Sequence, residues 1–394
     1  MTESRTKPPV ITLTAGPVQG YPRVLQAMAR PLGYDYDPSF QEFYEATALK
    51  CSEALRWPEP ALILQAEPAV AIEAAAASLI SKQDVVLNLA SGVYGKGFGY
   101  WSARYHKDMV EIEMPYNESI SAEAVAQAFE ERPDITVVSV VHHDTPSGTI
   151  NPLNEIGAVV ESKGALLLVD AVSSFAGMEV DPASCHADVF ITGPGKCLGG
   201  TPGITFVAVS DDAWRHMEHN PDSPRASILS YLDWKAAWNR NEAFPFTPSI
   251  SEISGLAEAI DAYLEEGPER VWARHALTAA ACRAGVTALG CDLWPASEAI
   301  ASPTTTAIRV PEGLSDQDII KTARALYGVV LSLGRGDTLG KLIRVGHMGP
   351  TAEPIYAVVA VAALGGALRK LGVSADLAAG VEAANRVIEQ AAAA

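Results

Sequence analysis

The sequence is short of positive charge: 29 Lys and Arg stand against 47 Asp and Glu in 394 residues, a net charge of −18. Such a surface repels nucleic acid and anionic lipid, so neither is an expected partner. A small anion remains possible, but only where local cationic groups collect it. Cysteine is scarce too. The five (Cys51, Cys185, Cys197, Cys282, Cys291) are scattered, odd in number and without a CxxC. That argues against a disulfide framework and for a reduced cytoplasm. No pair of histidines has the i, i+4 spacing of a helical metal site, and no metal is expected. Long apolar runs are missing as well. The longest, Tyr356 to Leu368, is too short and too rich in Gly and Ala to span a bilayer. Met1 to Val10 carries Lys and Arg with no apolar stretch behind them, so no secretory leader is expected.

What the chain does have is alternation. Apolar, β-branched runs at Ala61–Gln65, Asp84–Leu89, Ile135–Val141, Ala165–Val169, Val189–Thr192 and Ile204–Val209 read as buried strands. Helical patterns at Ala69–Ile80, Ala122–Glu131 and Asn154–Ser162 lie between them. Runs without polar alternation suit a mainly parallel sheet covered on both faces. After Ser251 come two long helical stretches and strand-like Thr305–Val310 and Val329–Leu333, with a helix near Ser315–Leu326 between those strands. The carboxyl end is helical from Glu353. The expected architecture is α/β: a large domain over 1–255, N-terminal segment included, and a smaller C-terminal α/β domain over 256–394. No internal repeat or low-complexity segment interrupts it.

Polar residues fall where such a sheet binds ligands. Glu67, Ser91 to Tyr94, His142 to Thr145, Asp170 and Lys196 each lie just past the carboxyl end of an expected strand. Gly193-Pro194-Gly195-Lys196 imitates the end of a P-loop, but Phe190 replaces the first Gly and Cys197 the Ser or Thr. Gly95-Lys96-Gly97-Phe98-Gly99 lacks dinucleotide spacing, and helix packing explains it equally well. Asp170 ends the apolar run Leu166-Leu-Leu-Val. A buried carboxylate there needs a cationic partner, and a pyridinium nitrogen is one. A helix cap or an ordinary salt bridge would also account for it. Lys196 sits in a Gly- and Pro-rich loop after a strand, where desolvation would free its amine as nucleophile and base. A solvated loop lysine is the alternative.

Together these residues carry a resemblance. Val169-Asp170-Ala171-Val172-Ser173-Ser174 followed by Thr192-Gly193-Pro194-Gly195-Lys196 resembles the signature of class V, fold-type I aminotransferases such as alanine–glyoxylate aminotransferase. His142-His143-Asp144-Thr145-Pro146-Ser147-Gly148-Thr149 with Asn151-Pro152, Ala15-Gly16-Pro17-Val18, and Arg344-Val345-Gly346-His347-Met348-Gly349 look like further motifs of that family, in its order. The resemblance implies a Schiff base on Lys196, Asp170 on the pyridine nitrogen, and Val172 and Tyr94 on opposite ring faces. It further implies Thr145 near the ring hydroxyl and Arg344 gripping the substrate carboxylate. Arg335 would be a second carboxylate or gating group, and Tyr34 would stand at the pocket wall. A homodimer or homotetramer with active sites near the subunit interface is expected.

Three departures from the family pattern bear on one function. A Gly-Ser-Gly-Thr-like turn that binds the cofactor phosphate is replaced by Ala66-Glu67-Pro68-Ala69. Gly195 stands where Gln is frequent, and Phe244 where a neighbouring subunit's Tyr is expected. A carboxylate and a proline make a poor phosphate site but a good acceptor for a 5′-hydroxyl. The resemblance is therefore to the branch that takes the free vitamin as a substrate, over stretches that include Leu32-Gly-Tyr-Asp-Tyr-Asp-Pro38, Ala301-Ser-Pro-Thr-Thr-Thr306 and Gly334-Arg335-Gly336. The expected reaction is pyridoxamine plus pyruvate giving pyridoxal plus L-alanine, with unphosphorylated pyridoxal on Lys196 and no pyridoxal phosphate. The alternatives are a phosphate-using alanine– or serine–glyoxylate aminotransferase, a desulfurase-type lyase (which needs a reactive loop cysteine), and a non-catalytic B6 carrier.

Overall fold

The computed structural model describes residues 10–31, 33–238 (the backbone alone at Trp238) and 244–393. Its large unit is built on seven strands: β1 (Leu62–Leu64), β2 (Val85–Ala90), β3 (Asp108–Glu113), β4 (Val137–Val141), β5 (Leu166–Asp170), β6 (Val189–Thr192) and β7 (Thr205–Val209). They lie in the order β1-β7-β6-β5-β4-β2-β3. The pairs β2–β3, β2–β4, β4–β5 and β5–β6 are parallel, whereas β7 runs antiparallel to both β6 and β1. A parallel return needs a crossover that is usually helical. The loop between β6 and β7, Gly193 to Ile204, contains no helix, so the chain doubles back. Lys196 rides on that loop.

Strand residues alternate between two cores. Leu87, Val138, Leu167, Phe190 and Phe206 face one side; Val86, Val137, Leu168, Ile191 and Val207 face the other. With both faces covered, both sets must be apolar, which is why the strands read as uninterrupted hydrophobic runs. Helix α1 (Pro68–Leu79) packs on the second face through Ala71, Ile72, Ala75 and Leu79. Helix α2 (Val93–Ser102) contains the Gly-rich stretch and lies directly on β2. A Cβ on Gly95 would sit 2.7 Å from the Leu89 carbonyl oxygen, so glycine is what permits that approach.

The smaller unit is an antiparallel sheet of Thr305–Arg309, Leu342–Gly346 and Ser332–Leu333 with its own core, in which Ile308, Ile343, Val345, Val361 and Leu364 are buried. The packing departs from the division at residue 255 in two places. Helix α3 (Ile250–Glu266) puts Ile253, Leu256, Ile260 and Tyr263 into the large unit's core. Helix α4 (Pro268–Ala288) begins there with Val271 and ends in the small core with Cys282 and Val286, so it is the connecting element. The N-terminal segment departs too. Ile11–Thr12 pairs in parallel with Val329–Val330, and Leu13 is buried in the small core. Among the described residues no helix is long and apolar enough to cross a membrane.

Candidate active site

The carboxyl ends of β2, β4, β5 and β6 open on one rim, and the small unit's Leu342–Gly346 strand faces it. Asp170 is the last residue of β5 and is buried; one carboxylate oxygen accepts the Val172 N–H at 2.9 Å. Burial raises its pKa to about 7, against the stabilising Val172 N–H; the charges of Asp144 and Glu67 add to the rise and Lys196 opposes it.

Lys196 Nζ donates to the Ala15 carbonyl at 3.0 Å. A Cβ on Gly16 would lie 1.9 Å from that nitrogen, so Gly16 is the position that leaves the amine room. Burial lowers the amine to about 8, with the Arg344 charge acting in the same direction and Cys197, Asp170 and Glu67 opposing it. The N-terminal segment thus reaches the site from the small unit and holds the amine by a neutral carbonyl instead of a carboxylate.

Arg344 is held without a carboxylate. Its Nε and one terminal nitrogen donate to the Leu333 carbonyl at 2.9 and 2.7 Å, and the other terminal nitrogen donates to the Thr145 carbonyl at 3.1 Å. Desolvation lowers its pKa to about 10. Arg335 is exposed; it donates to the Tyr94 hydroxyl at 3.0 Å, and its guanidinium lies 5.4 Å from the ring centroid. Tyr94 is half-buried at the start of α2, its phenol raised by burial. Val172 and Thr145 are buried on the same rim.

Glu67 caps α1. Its carboxylate accepts the Ala69 N–H at 2.9 Å, while the Val70 and Ala71 N–H groups go to the Glu67 carbonyl at 2.8 and 3.2 Å. Pro68 is the first helical residue and has no N–H.

Eight of the nine expected residues thus come together: Lys196, Asp170, Glu67, Tyr94, Thr145, Val172, Arg344 and Arg335. Tyr34 is not brought in. It is 67% exposed, its ring lies tilted against Tyr36 with 5.4 Å between centroids, and no described contact ties it to Lys196. It lies in a turn before helix Pro38–Leu55, whose cap Asp37 faces solvent. Within the chain the Phe244 ring packs against Tyr44 and Phe40, at 5.0 and 6.0 Å between centroids. Gly195 has a local reason, because a Cβ there would lie 2.9 Å from Pro202 Cα. Two participants were not singled out from the sequence. Ala15 acts through its carbonyl, which leaves no mark on residue type; Asp144 is buried and bonds the Tyr94 N–H at 2.7 Å. Among the described residues no group of three or more His, Cys, Asp or Glu side chains could hold a metal ion.

A mainly parallel α/β sheet thus gathers at its strand ends a buried carboxyl, an enclosed lysine amine and an arginine held by backbone carbonyls, the arrangement of a candidate amine-transfer site. Residues 72–339 match the model of the Aminotransferase class-V family, and the chain belongs to that family. It is 60% identical over 381 residues, 97% of each chain, to the pyridoxamine–pyruvate transaminase of Mesorhizobium japonicum. It is 29% identical to the serine–glyoxylate aminotransferase of Methylorubrum extorquens, over 81% of this chain and 80% of that one. The crystal structure of pyridoxamine–pyruvate aminotransferase from Mesorhizobium loti superposes with a TM-score of 0.95 at 60% identity, covering 97% of both chains.

Proposed function

We propose that the chain transfers the amino group of free pyridoxamine to pyruvate, giving pyridoxal and L-alanine. The observation that carries the reading is the start of α1. A helix N-terminus binds an anion by offering open N–H groups. Here Pro68 has none, and the next three are taken by Glu67 itself. A phosphate ester would meet a carboxylate and no free donor, whereas a neutral 5′-hydroxyl can donate to that carboxylate. Gly195, pinned by Pro202, and Phe244, without a hydroxyl, add no side-chain donor. The 60% identical relatives support the substrate pair.

The residues present fit the ring of vitamin B6 and not its phosphate. Asp170 would hold the ring nitrogen, with Val172 and Tyr94 on its faces and Thr145 near the ring hydroxyl. Lys196 is the amine that takes the aldehyde carbon, and its lowered pKa keeps a share of it neutral near pH 8. Arg344, oriented by two carbonyls, receives the carboxylate of pyruvate and of alanine in a two-pronged hydrogen bond. Arg335 stands over Tyr94 at the mouth. A bound B6 ring supplies the electron sink that acidifies the neighbouring carbon. Lys196 Nζ removes the proton from C4′ and returns one to Cα, or the reverse. The enzyme is further proposed to be a cytoplasmic homodimer or homotetramer with its sites near the interface, which would cover Tyr34 and suits cysteines that are all buried and free. The test is turnover of pyridoxamine against pyridoxamine phosphate with pyruvate. A protein that purifies with stoichiometric pyridoxal phosphate and ignores free pyridoxamine overturns the reading.

A further inference from the structure

Helix α2, which carries Tyr94, has no cap of its own. Its N-cap residue is Gly92, which offers no side-chain acceptor. The cap comes from across the rim. Asp144 lies in the short hairpin His143–Asp144/Thr149–Ile150 that follows β4, and is buried. One of its carboxylate oxygens accepts the Tyr94 N–H at 2.7 Å, across 50 residues of sequence, and the Val93 N–H also bonds the carboxylate. The other oxygen accepts the Ser147 hydroxyl at 3.1 Å. The fit is close: a Cβ on Gly92 would lie 2.1 Å from the Asp144 carboxyl carbon. Gly92 thus leaves the space that Asp144 fills.

We infer that Asp144 is a positioning residue that fixes the Tyr94 ring, and through the Tyr94 hydroxyl the guanidinium of Arg335, before substrate arrives. The carboxylate satisfies otherwise unpaired N–H groups and opposes the positive end of the helix dipole. Tyr94 is the second helical residue, so the orientation of the first turn is the orientation of its ring. The next residue, Thr145, gives its carbonyl to Arg344. One dipeptide therefore sets both the aromatic face and the carboxylate-binding cation, which keeps the two halves of the substrate pair in a fixed relation. The pKa of Asp144 is raised by burial while four hydrogen bonds pull it down, in keeping with a carboxylate held by donors.

The inference rests on the reading of Tyr94 as a ring-facing residue, and its test separates the two. In ligand-free protein, Asp144→Ala should raise amide hydrogen exchange at Val93 to Gly95 about tenfold or more, with no change in Ala122–Glu131; this readout needs no substrate. With substrate, Asp144→Ala should raise the KM for pyridoxamine about five- to tenfold, the scale of a lost cap. In a Tyr94→Ala background the same substitution should change it less than twofold, because the ring it positions is gone. Asp144→Asn, which keeps volume and one acceptor, should fall between wild type and Ala on both readouts and covers the case in which Ala does not fold. Unchanged exchange at Val93 to Gly95, or an equal KM effect with and without Tyr94, overturns the inference. Changed exchange with no turnover of pyridoxamine by the wild type would leave Asp144 as the positioning residue and overturn the substrate assignment alone.

Discussion

Replacing Glu67 by Gln isolates the charge proposed to exclude phosphate. The amide oxygen of Gln can still accept the Ala69 N–H, so the cap survives and the helix is not disturbed. A 5′-phosphate in hydrogen-bonding range of this residue would lie about 4 Å from the carboxylate. The interaction is then about 1 kcal/mol per charge pair in water and about 4 at the effective dielectric of a protein surface. Glu67 is exposed in the single chain, so the low end applies, and two phosphate charges bring the repulsion to about 2 kcal/mol. That is about thirtyfold in relative kcat/KM. The assay is the ratio of kcat/KM for pyridoxamine to that for pyridoxamine phosphate, with pyruvate fixed. Glu67→Gln should lower the ratio about thirtyfold without altering thermal stability. It should not abolish it, because Pro68 still withholds an N–H and Gly195 still brings no donor. Glu67→Ala should lower the ratio similarly and also lose about 1 kcal/mol of stability through the missing cap. A ratio that moves less than twofold in Glu67→Gln would refute charge repulsion as the source of selectivity.

Four further outcomes follow from the site. Borohydride reduction in the presence of pyridoxal should label Lys196, and Lys196→Ala should lose several orders of magnitude in turnover, while labelling of another lysine would remove the assignment. Capture of pyridoxal by Lys196 requires the neutral amine, so its rate in stopped-flow absorbance should climb from pH 6 and level off above about 8; a flat profile contradicts the lowered pKa. Arg344→Ala should weaken pyruvate and alanine by roughly 2–4 kcal/mol and spare pyridoxamine binding, and an unchanged KM for pyruvate would transfer the role to Arg335. Asp170 has a folded pKa near 7 against about 3.9 unfolded, so between these values the folded state holds the extra proton and stability falls as pH rises. In the ligand-free enzyme Asp170→Asn should therefore stabilise by about 4 kcal/mol above pH 7, shrinking to about 1–2 near pH 5, with activity lost; equal gains at both pH values in thermal melts would contradict it.

The sheet was legible because burial on both faces leaves strands that are almost wholly apolar, and six of the seven were found that way. The exception, β3, is an edge strand, Asp108-Met-Val-Glu-Ile-Glu113, with acidic residues at both ends and no face fully buried. Its reading depends on a neighbour, β2, that supplies the order. The helix Val93–Ser102 was obscured for a different reason. Three of its ten residues are glycines, which lower helix propensity, yet Gly95 at the Leu89 carbonyl is what seats the helix on the sheet. The pairing of Ile11–Thr12 with Val329–Val330 was not legible, because the partners lie more than 300 residues apart and no local pattern carries a contact of that range.

The site divides along the same line. Glu67 could be read from sequence because its effect is local: a carboxylate, a proline and a helix start are adjacent, and their chemistry follows from adjacency. Lys196 and Asp170 stood out because each violates its surroundings, a charge at the end of an apolar strand or inside a Gly-rich loop, but only the family resemblance implied their roles. What could not be read are the groups that hold these residues still. The carbonyls of Ala15, Leu333 and Thr145 fix Lys196 and Arg344, and every residue type has a carbonyl. Holding two cations by neutral carbonyls has a consequence for function. A carboxylate partner would satisfy Arg344 and compete with the substrate; carbonyls orient it and leave its charge free for an incoming anion. In a chain with 18 excess negative charges, that choice of partner is what would keep Arg344 open for the substrate carboxylate proposed for it.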